Sequence, residues 1–408
     1  MSFGRFLAAG LLLFAALPAR ADGAFPDEMA VLLPPSAPQT ILVGATFGLA
    51  LTEDGGATWR FVCESLISAG SASNVSLYQQ AADGAVLAIY ANGPSRSGDL
   101  GCSWTAATGL ESQTVVDAFF DPLDPSFGLA VGWAKGGTAS GLYPSRDGGK
   151  TFGAPVLETD GLILGVELSA SRKGVAYAVG YFSPPDGGPG QPFLLRSDDS
   201  GATWARRVLD LPPTASVRIA AVDPVDPETI YLRVFDSLAG SDGLAISTDG
   251  GRTLSRPLTT ANPLTGFVRM PDGALIAGTF FGELYTRRPG ETAFTKSAGP
   301  RVRCLGQRNG RLYACGEGGV DGFNLGVSDD LGKTWKPVLR FSDLQGPKAC
   351  GAVPTACAAA WDTLRAQVGA TNATPAGKSG CGCGSGASGA TVALGLLLLL
   401  SRRRRRPS

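Results

Sequence analysis

The segment SDDSGATW at 197–204 decides the fold, because the chain keeps returning to it. The same pattern, S/T-x-D-x-G-x-S/T-W/F, reads TEDGGATW at 52–59, SGDLGCSW at 97–104 and SRDGGKTF at 145–152. It recurs as STDGGRTL at 247–254 and SDDLGKTW at 328–335. Successive starts lie 45, 48, 52, 50 and 81 residues apart, so the last gap is nearly double and hides one further copy.

A second marker locates that copy. Ahead of each box an apolar strand begins, at Ile41, Val86, Leu129, Ala176, Ile230, Leu275 and Leu312, which makes seven units. From Ile41 to Thr52, as from Val86 to Ser97, the spacing is 11, and the same step from Leu275 reaches TRRPGETA at 286–293. This stretch keeps Thr286, Gly290 and Thr292 but carries Arg288 where the others have Asp. In the intact boxes the carboxylate accepts hydrogen bonds from the turn backbone, Gly supplies a positive φ, the hydroxyl closes the loop, and the aromatic covers it. All of this is read as local work. Several short strands per period of 40–50 residues are the signature of a β-propeller, so the fold class expected is all-β, a seven-bladed propeller of four-stranded antiparallel blades.

The boxes resemble the Asp-box, or BNR, repeats of sialidase-like and sortilin-like propellers, over about Glu28 to Asp343. The resemblance implies that Asp54, Asp99, Asp147, Asp199, Asp249 and Asp330 are structural residues in the turns between third and fourth strands, away from the usual binding face. Gly-Lys-Thr at 149–151 and 332–334 is not a phosphate loop, because Pro144 and Val327 stand where that motif needs glycine. Sialidases need an arginine triad, usually opened by Arg-Ile-Pro before the first box; this chain has no Arg from Asp22 to Leu51 and no Arg-Ile-Pro. Xyloglucanase-type enzymes pair two such propellers, sortilin-type receptors use ten blades, and the photosystem-assembly propellers share the count of seven.

Composition narrows the chemistry. Of 408 residues 57 are Gly, about twice ordinary usage, which argues against a helical bundle. Lys+Arg and Asp+Glu both number 35, but Arg5, Arg20 and Arg402 to Arg406 sit at the two ends. The middle is therefore acidic, and no nucleic-acid partner is expected. There is no His, which removes the usual general base, the Ser-His and Cys-His nucleophile pairs and histidine-ligated zinc. No cofactor, metal or catalytic residue is expected.

The ends read as addresses. Residues 1–21 place Arg5 before an apolar run and end on Ala19-Arg20-Ala21, the layout of a secretory signal peptide. At the other end GKSGCGCGSGASG (377–389) leads into ATVALGLLLLL (390–400) and an arginine cluster. This resembles the MYXO-CTERM sorting tail of myxobacterial surface proteins. The resemblance implies a Gram-negative envelope, a sorting protease acting near Cys381 and Cys383, and membrane attachment. The apolar stretch from Ala387 to Leu400 would span about 21 Å as a helix, short of a bilayer core of about 30 Å. The layout expected is signal peptide 1–21, propeller 22–345, a Cys-containing cap 346–370, a linker 371–386 and a sorting tail 387–408.

Spacing from strand to box is 11 in units 1, 2 and 6 but 16, 21, 17 and 16 in units 3, 4, 5 and 7. The extra residues are assigned to second-to-third-strand loops, AKGGTASG (134–141), SPPDGGPGQP (183–192), FDSLAGSDG (235–243) and GEGGVDGFN (316–324). Long loops on one rigid face are where ligands bind. The candidates there are Trp133, Lys135, Tyr181, Phe182, Asp186, Phe235, Asp236, Asp242, Glu317 and Asp321. Two carboxylate pairs, Asp186 with Asp236 and Asp242 with Asp321, keep a glycosidase open as the alternative to a binding or scaffold module for a protein, peptide or glycan. Export permits disulfides. Cys304 and Cys315 flank the Asn309-Gly310 turn symmetrically, so a two-residue hairpin sets them opposite each other. Cys350 and Cys357 flank a short segment of the cap, and Cys63 and Cys102 have no obvious partner.

Overall fold

The computed structural model describes residues 28–68, 75–137, 139–183 and 190–370. Along the chain run seven sheets, each of four consecutive antiparallel strands. The second strands Ile41–Ala45, Val86–Tyr90 and Leu275–Thr279 are buried at every position, and the others are buried over most of their length. Each lies in the middle of a blade with another blade on either side, which is why these runs are continuously apolar and do not alternate.

The first strands stand side by side around the axis. They are Glu28–Leu32, Val75–Gln80, Gln113–Phe120, Leu162–Leu168, Ala215–Val222, Leu264–Arg269 and Cys304–Arg308, and the last also touches the first, so the ring is closed. In blades 1 to 6 the pairing of first and second strands carries a register break, as between Ile163 and Gly165 in blade 4. Bulges of this kind bend the strand and increase its twist beside the channel.

The six intact boxes share one hydrogen-bond scheme among their hydroxyls, the Asp and the Gly N–H, and in blades 2, 4 and 7 the Trp indole adds a bond to the Gly carbonyl. In blade 4, Ser197 Oγ donates to Asp199 Oδ1 at 2.8 Å and accepts from Gly201 N at 2.8 Å. Thr203 N and Thr203 Oγ1 reach the two oxygens of Asp199 at 2.8 and 2.6 Å, and Trp204 Nε1 donates to Gly201 O at 2.9 Å. The structure corrects the expectation that this work is only local. The box glycine has a positive φ and also seats against the preceding blade: a Cβ on Gly251 would collide with Leu194 of blade 4. Gly56, Gly101, Gly149, Gly201 and Gly332 face the preceding blade in the same way, Gly56 meeting Val338 of blade 7 across the closure. Each intact box is thus a wedge between blades.

Blade 6 departs from this. Its turn is closed by Glu291, whose carboxylate accepts Arg288 N at 2.8 Å, and a Cβ on Gly290 would meet nothing.

Among the described residues blades 1 and 7 exchange no strand. Instead, Leu344–Pro347 leaves blade 7 and runs parallel to Trp59–Cys63, the outer strand of blade 1. Lys348 then inserts its ammonium between two boxes, 3.1 Å from Leu100 O and 3.2 Å from Glu53. The cap follows as the helices Val353–Ala356 and Ala358–Val368. Disulfides Cys63–Cys357 and Cys102–Cys350 pin it to blades 1 and 2, giving both unassigned cysteines partners. Cys304 and Cys315 are opposite each other and bonded, with Asn309 and Gly310 both at positive φ. Among the described residues no helix is long and apolar enough to cross a membrane; residues 1–27 and 371–408, where the signal peptide, linker and sorting tail are expected, lie outside them.

Candidate functional site

In a four-stranded antiparallel blade the second-to-third-strand loops share one end with the connections between blades, and the boxes occupy the other. The sequence candidates lie toward the first end, but only Lys135, on the 135–139 loop, stands on the lengthened loop in blades 3 and 5. There the extra residues are shared between the loop and both strands of the inner hairpin: Gly128–Ala134 with Ser140–Ser145, and Ile230–Asp236 with Ser241–Ser247. Trp133, Phe235, Asp236 and Asp242 therefore stand on strands, as do Tyr181 and Phe182 on Ala176–Phe182.

Most of these groups are spent on the fold. Trp133 Nε1 donates to Ile163 O at 2.7 Å, and Tyr181 hydroxyl donates to Pro213 O at 2.9 Å. Lys135 donates to Glu111 O at 2.8 Å, and the Arg206 guanidinium stacks on Phe182, 4.7 Å from the ring centre. Asp236 caps its own turn, accepting Thr214 Oγ1, Leu238 N and Ala239 N; the Ala239 N–H first and the Thr214 hydroxyl next hold its carboxyl below the usual range. Asp242 is buried and bound by Arg233 on two nitrogens. Glu317 pairs with Arg301 at 2.7 Å, while Asp321 accepts Glu317 N and Arg301 N. Asp242 and Asp321 belong to blades 5 and 7, each with its own partners. Asp186, Cys381 and Cys383 lie outside the described residues.

Large apolar side chains are exposed on this face. Phe235 is 40% exposed, Leu238 83%, Phe281 60% and Val320 55%, all at the second-to-third-strand ends of the adjacent blades 5, 6 and 7. Only Phe235 was visible as a candidate in the sequence. Leu238 lies inside a quoted loop, and Phe281 sits on the short hairpin of blade 6, where length gave no signal.

A second feature lies along the axis, where strand patterns gave no warning. The inner edge of each first strand has no neighbouring strand to pair with, so its backbone groups need other partners. Side chains of the preceding blade supply them. Gln79 accepts Phe120 N at 3.2 Å, Asp117 accepts Val166 N at 2.9 Å, and Glu167 accepts Val222 N at 2.8 Å. In the opposite direction Arg218 donates to Leu164 O. Blades 2 to 5 are stitched together in this way around a cavity of about 360 Å³. Burial pushes the Asp117 carboxyl up to about 6, against the pull of the Val166 and Ala118 N–H groups and of Arg218. Burial, reinforced by the charge of Asp117, pushes Glu167 up to about 8 despite the Val222 N–H. Near neutral pH the first is mostly ionised and the second mostly protonated. Among the described residues no cluster of His, Cys, Asp and Glu is arranged to hold a metal ion.

Together these features define an all-β propeller of seven four-stranded antiparallel blades with exposed apolar side chains at the loop ends of blades 5 to 7. No family model matches the chain, and no curated protein matches it. Among solved structures it is similar to PorZ, described as an essential bacterial surface component of the type-IX secretion system of Porphyromonas gingivalis. The identity is 14%, over 77% of this chain and 38% of that one, with a TM-score of 0.50. It also resembles YCF48 bound to D1 peptide, at 22% identity over 56% and 67% of the two chains with a TM-score of 0.38. The GH74 xyloglucanase from Xanthomonas campestris matches at 20% identity, over 80% and 56%, with a TM-score of 0.33. At these identities the likeness concerns fold alone.

Proposed function

We propose that this chain is an exported propeller, held at the cell surface by its C-terminal tail, that binds a protein, peptide or glycan and does not transform it. The boxes are read as Asp-box repeats and the tail as a sorting signal of the MYXO-CTERM type. The observation that carries the binding reading is the loop face of blades 5 to 7. Its described polar candidates are engaged internally, while Phe235, Leu238, Phe281 and Val320, from three adjacent blades, stay exposed, as apolar anchors on a partner-binding surface do. The test is capture from the producing organism's envelope with the purified protein. Leu238→Asp with Phe281→Asp should abolish the specific capture, and Val225→Asp on the opposite face should not. Equal capture by both would end this reading.

Glycoside hydrolysis is the second reading, favoured by one observation. Asp117 and Glu167 face one cavity with titrations pushed apart, as acid and base partners are. Against it stand the backbone N–H groups that occupy both oxygens of Asp117. Turnover of any chromogenic glycoside by the parent chain, lost in Glu167→Gln, would replace the binding reading with this one.

A further inference from the structure

Blade 6 is the one unit whose box lost both its Asp and its aromatic, and the consequence is visible at the seam with blade 5. In blades 1 and 4 the leucine three residues before the box hydroxyl, Leu49 and Leu194, is covered by the box glycine of the next blade, Gly101 and Gly251. The same position in blade 5 is Leu244, three residues before Ser247. Its would-be cover, Gly290, touches nothing, and Leu244 instead lines an open cavity of about 250 Å³. The other walls are Ile219, Leu264, Phe267 and Ala277, with Arg218 at the rim.

The chemistry of this seam is specific. Its walls are apolar, and the charged groups lining it are two guanidiniums, Arg218 and Arg233. Arg233 is already neutralised by Asp242 in a direct ion pair, whereas Arg218 is exposed, donates to the Leu164 carbonyl and feels Asp117 only through its charge. An apolar body satisfies the walls and a single anionic head satisfies the rim. We infer that the seam between blades 5 and 6 is a binding site for a small amphipathic anion, an aliphatic or aromatic carboxylic acid, distinct from the loop face.

The test uses the full chain and two probes, octanoate and octanol, titrated by calorimetry. Octanoate should saturate one site. Ala220→Leu, which fills the cavity from its half-exposed rim, should weaken octanoate at least about tenfold, and Arg218→Gln should weaken octanoate about tenfold while leaving octanol unchanged. Melting curves of both variants check that the ring is intact, and the exposed position of Arg218 keeps that variant informative if Ala220→Leu does not fold. Non-saturable binding, or octanoate affinity unchanged in the folded variants, would overturn the site. Octanol bound as tightly as octanoate, with no effect of Arg218→Gln, would overturn the anionic head.

Discussion

Glu167 shows how one side chain can serve structure at a cost that depends on pH. In the unfolded chain a glutamate titrates near 4.5, whereas folded Glu167 keeps its proton to about 8. The native state therefore binds that proton more tightly, so the associated stability is present below pH 4.5 and lost as pH rises to about 8. The box carboxylates run the other way: the Thr58 hydroxyl first, then the Thr58 N–H and the Thr52 hydroxyl, hold Asp54 at about 2. Their contribution is present above the unfolded value of 3.8 and lost as pH falls toward 2. Glu167→Gln keeps an acceptor for Val222 N, so its melting temperature should match the parent near pH 4.5 and exceed it increasingly up to pH 9. Parallel melting curves across that range would show that Glu167 does not titrate as described. Box aspartates were legible in the sequence because their partners lie within four residues. Asp117 and Glu167 were not, because their partners are backbone groups 49 and 55 residues away.

At the scale of elements, the seam between blades 5 and 6 replaces a missing wedge with an ion pair. Arg269, ending the first strand of blade 6, meets Asp223 of blade 5 at 2.6 Å, and Tyr231 hydroxyl donates to the same carboxylate at 2.7 Å. Arg269→Met should cost about 3 kcal/mol, since it strands a buried carboxylate. Lys336→Met, at a pair with Asp329 whose side chains are 72% and 49% exposed, should cost only a small fraction of that. Denaturant midpoints of the two variants measure the contrast, and equal shifts would contradict it. Spacing found the degenerate box of blade 6, because it fixes where a turn must fall. The same spacing misassigned most of the extra residues of blade 5, since two added residues per strand lengthen a hairpin as readily as they lengthen its loop.

For the whole molecule, closure is the decisive event. Among the described residues blades 1 and 7 exchange no strand; they pack directly, with Arg308 donating to Thr40 O, and the ring is fastened by the parallel addition of Leu344–Pro347 and by disulfides spanning 294 and 248 residues. Replacing Cys63 and Cys357 together by Ser should lower stability by about 2–5 kcal/mol, read from the denaturant midpoint without reductant. An unchanged midpoint would mean that the strand and Lys348 suffice. The sequence alone determined the number of blades, the box turns and the Cys304–Cys315 hairpin, because each of these is written within a dozen consecutive residues and obeys local hydrogen-bond and φ requirements. Only the tertiary structure decided the long-range disulfides, the stitched channel and the open seam. These depend on how far each blade turns about the axis, which brings together residues from 41 to 294 positions apart that no local rule connects.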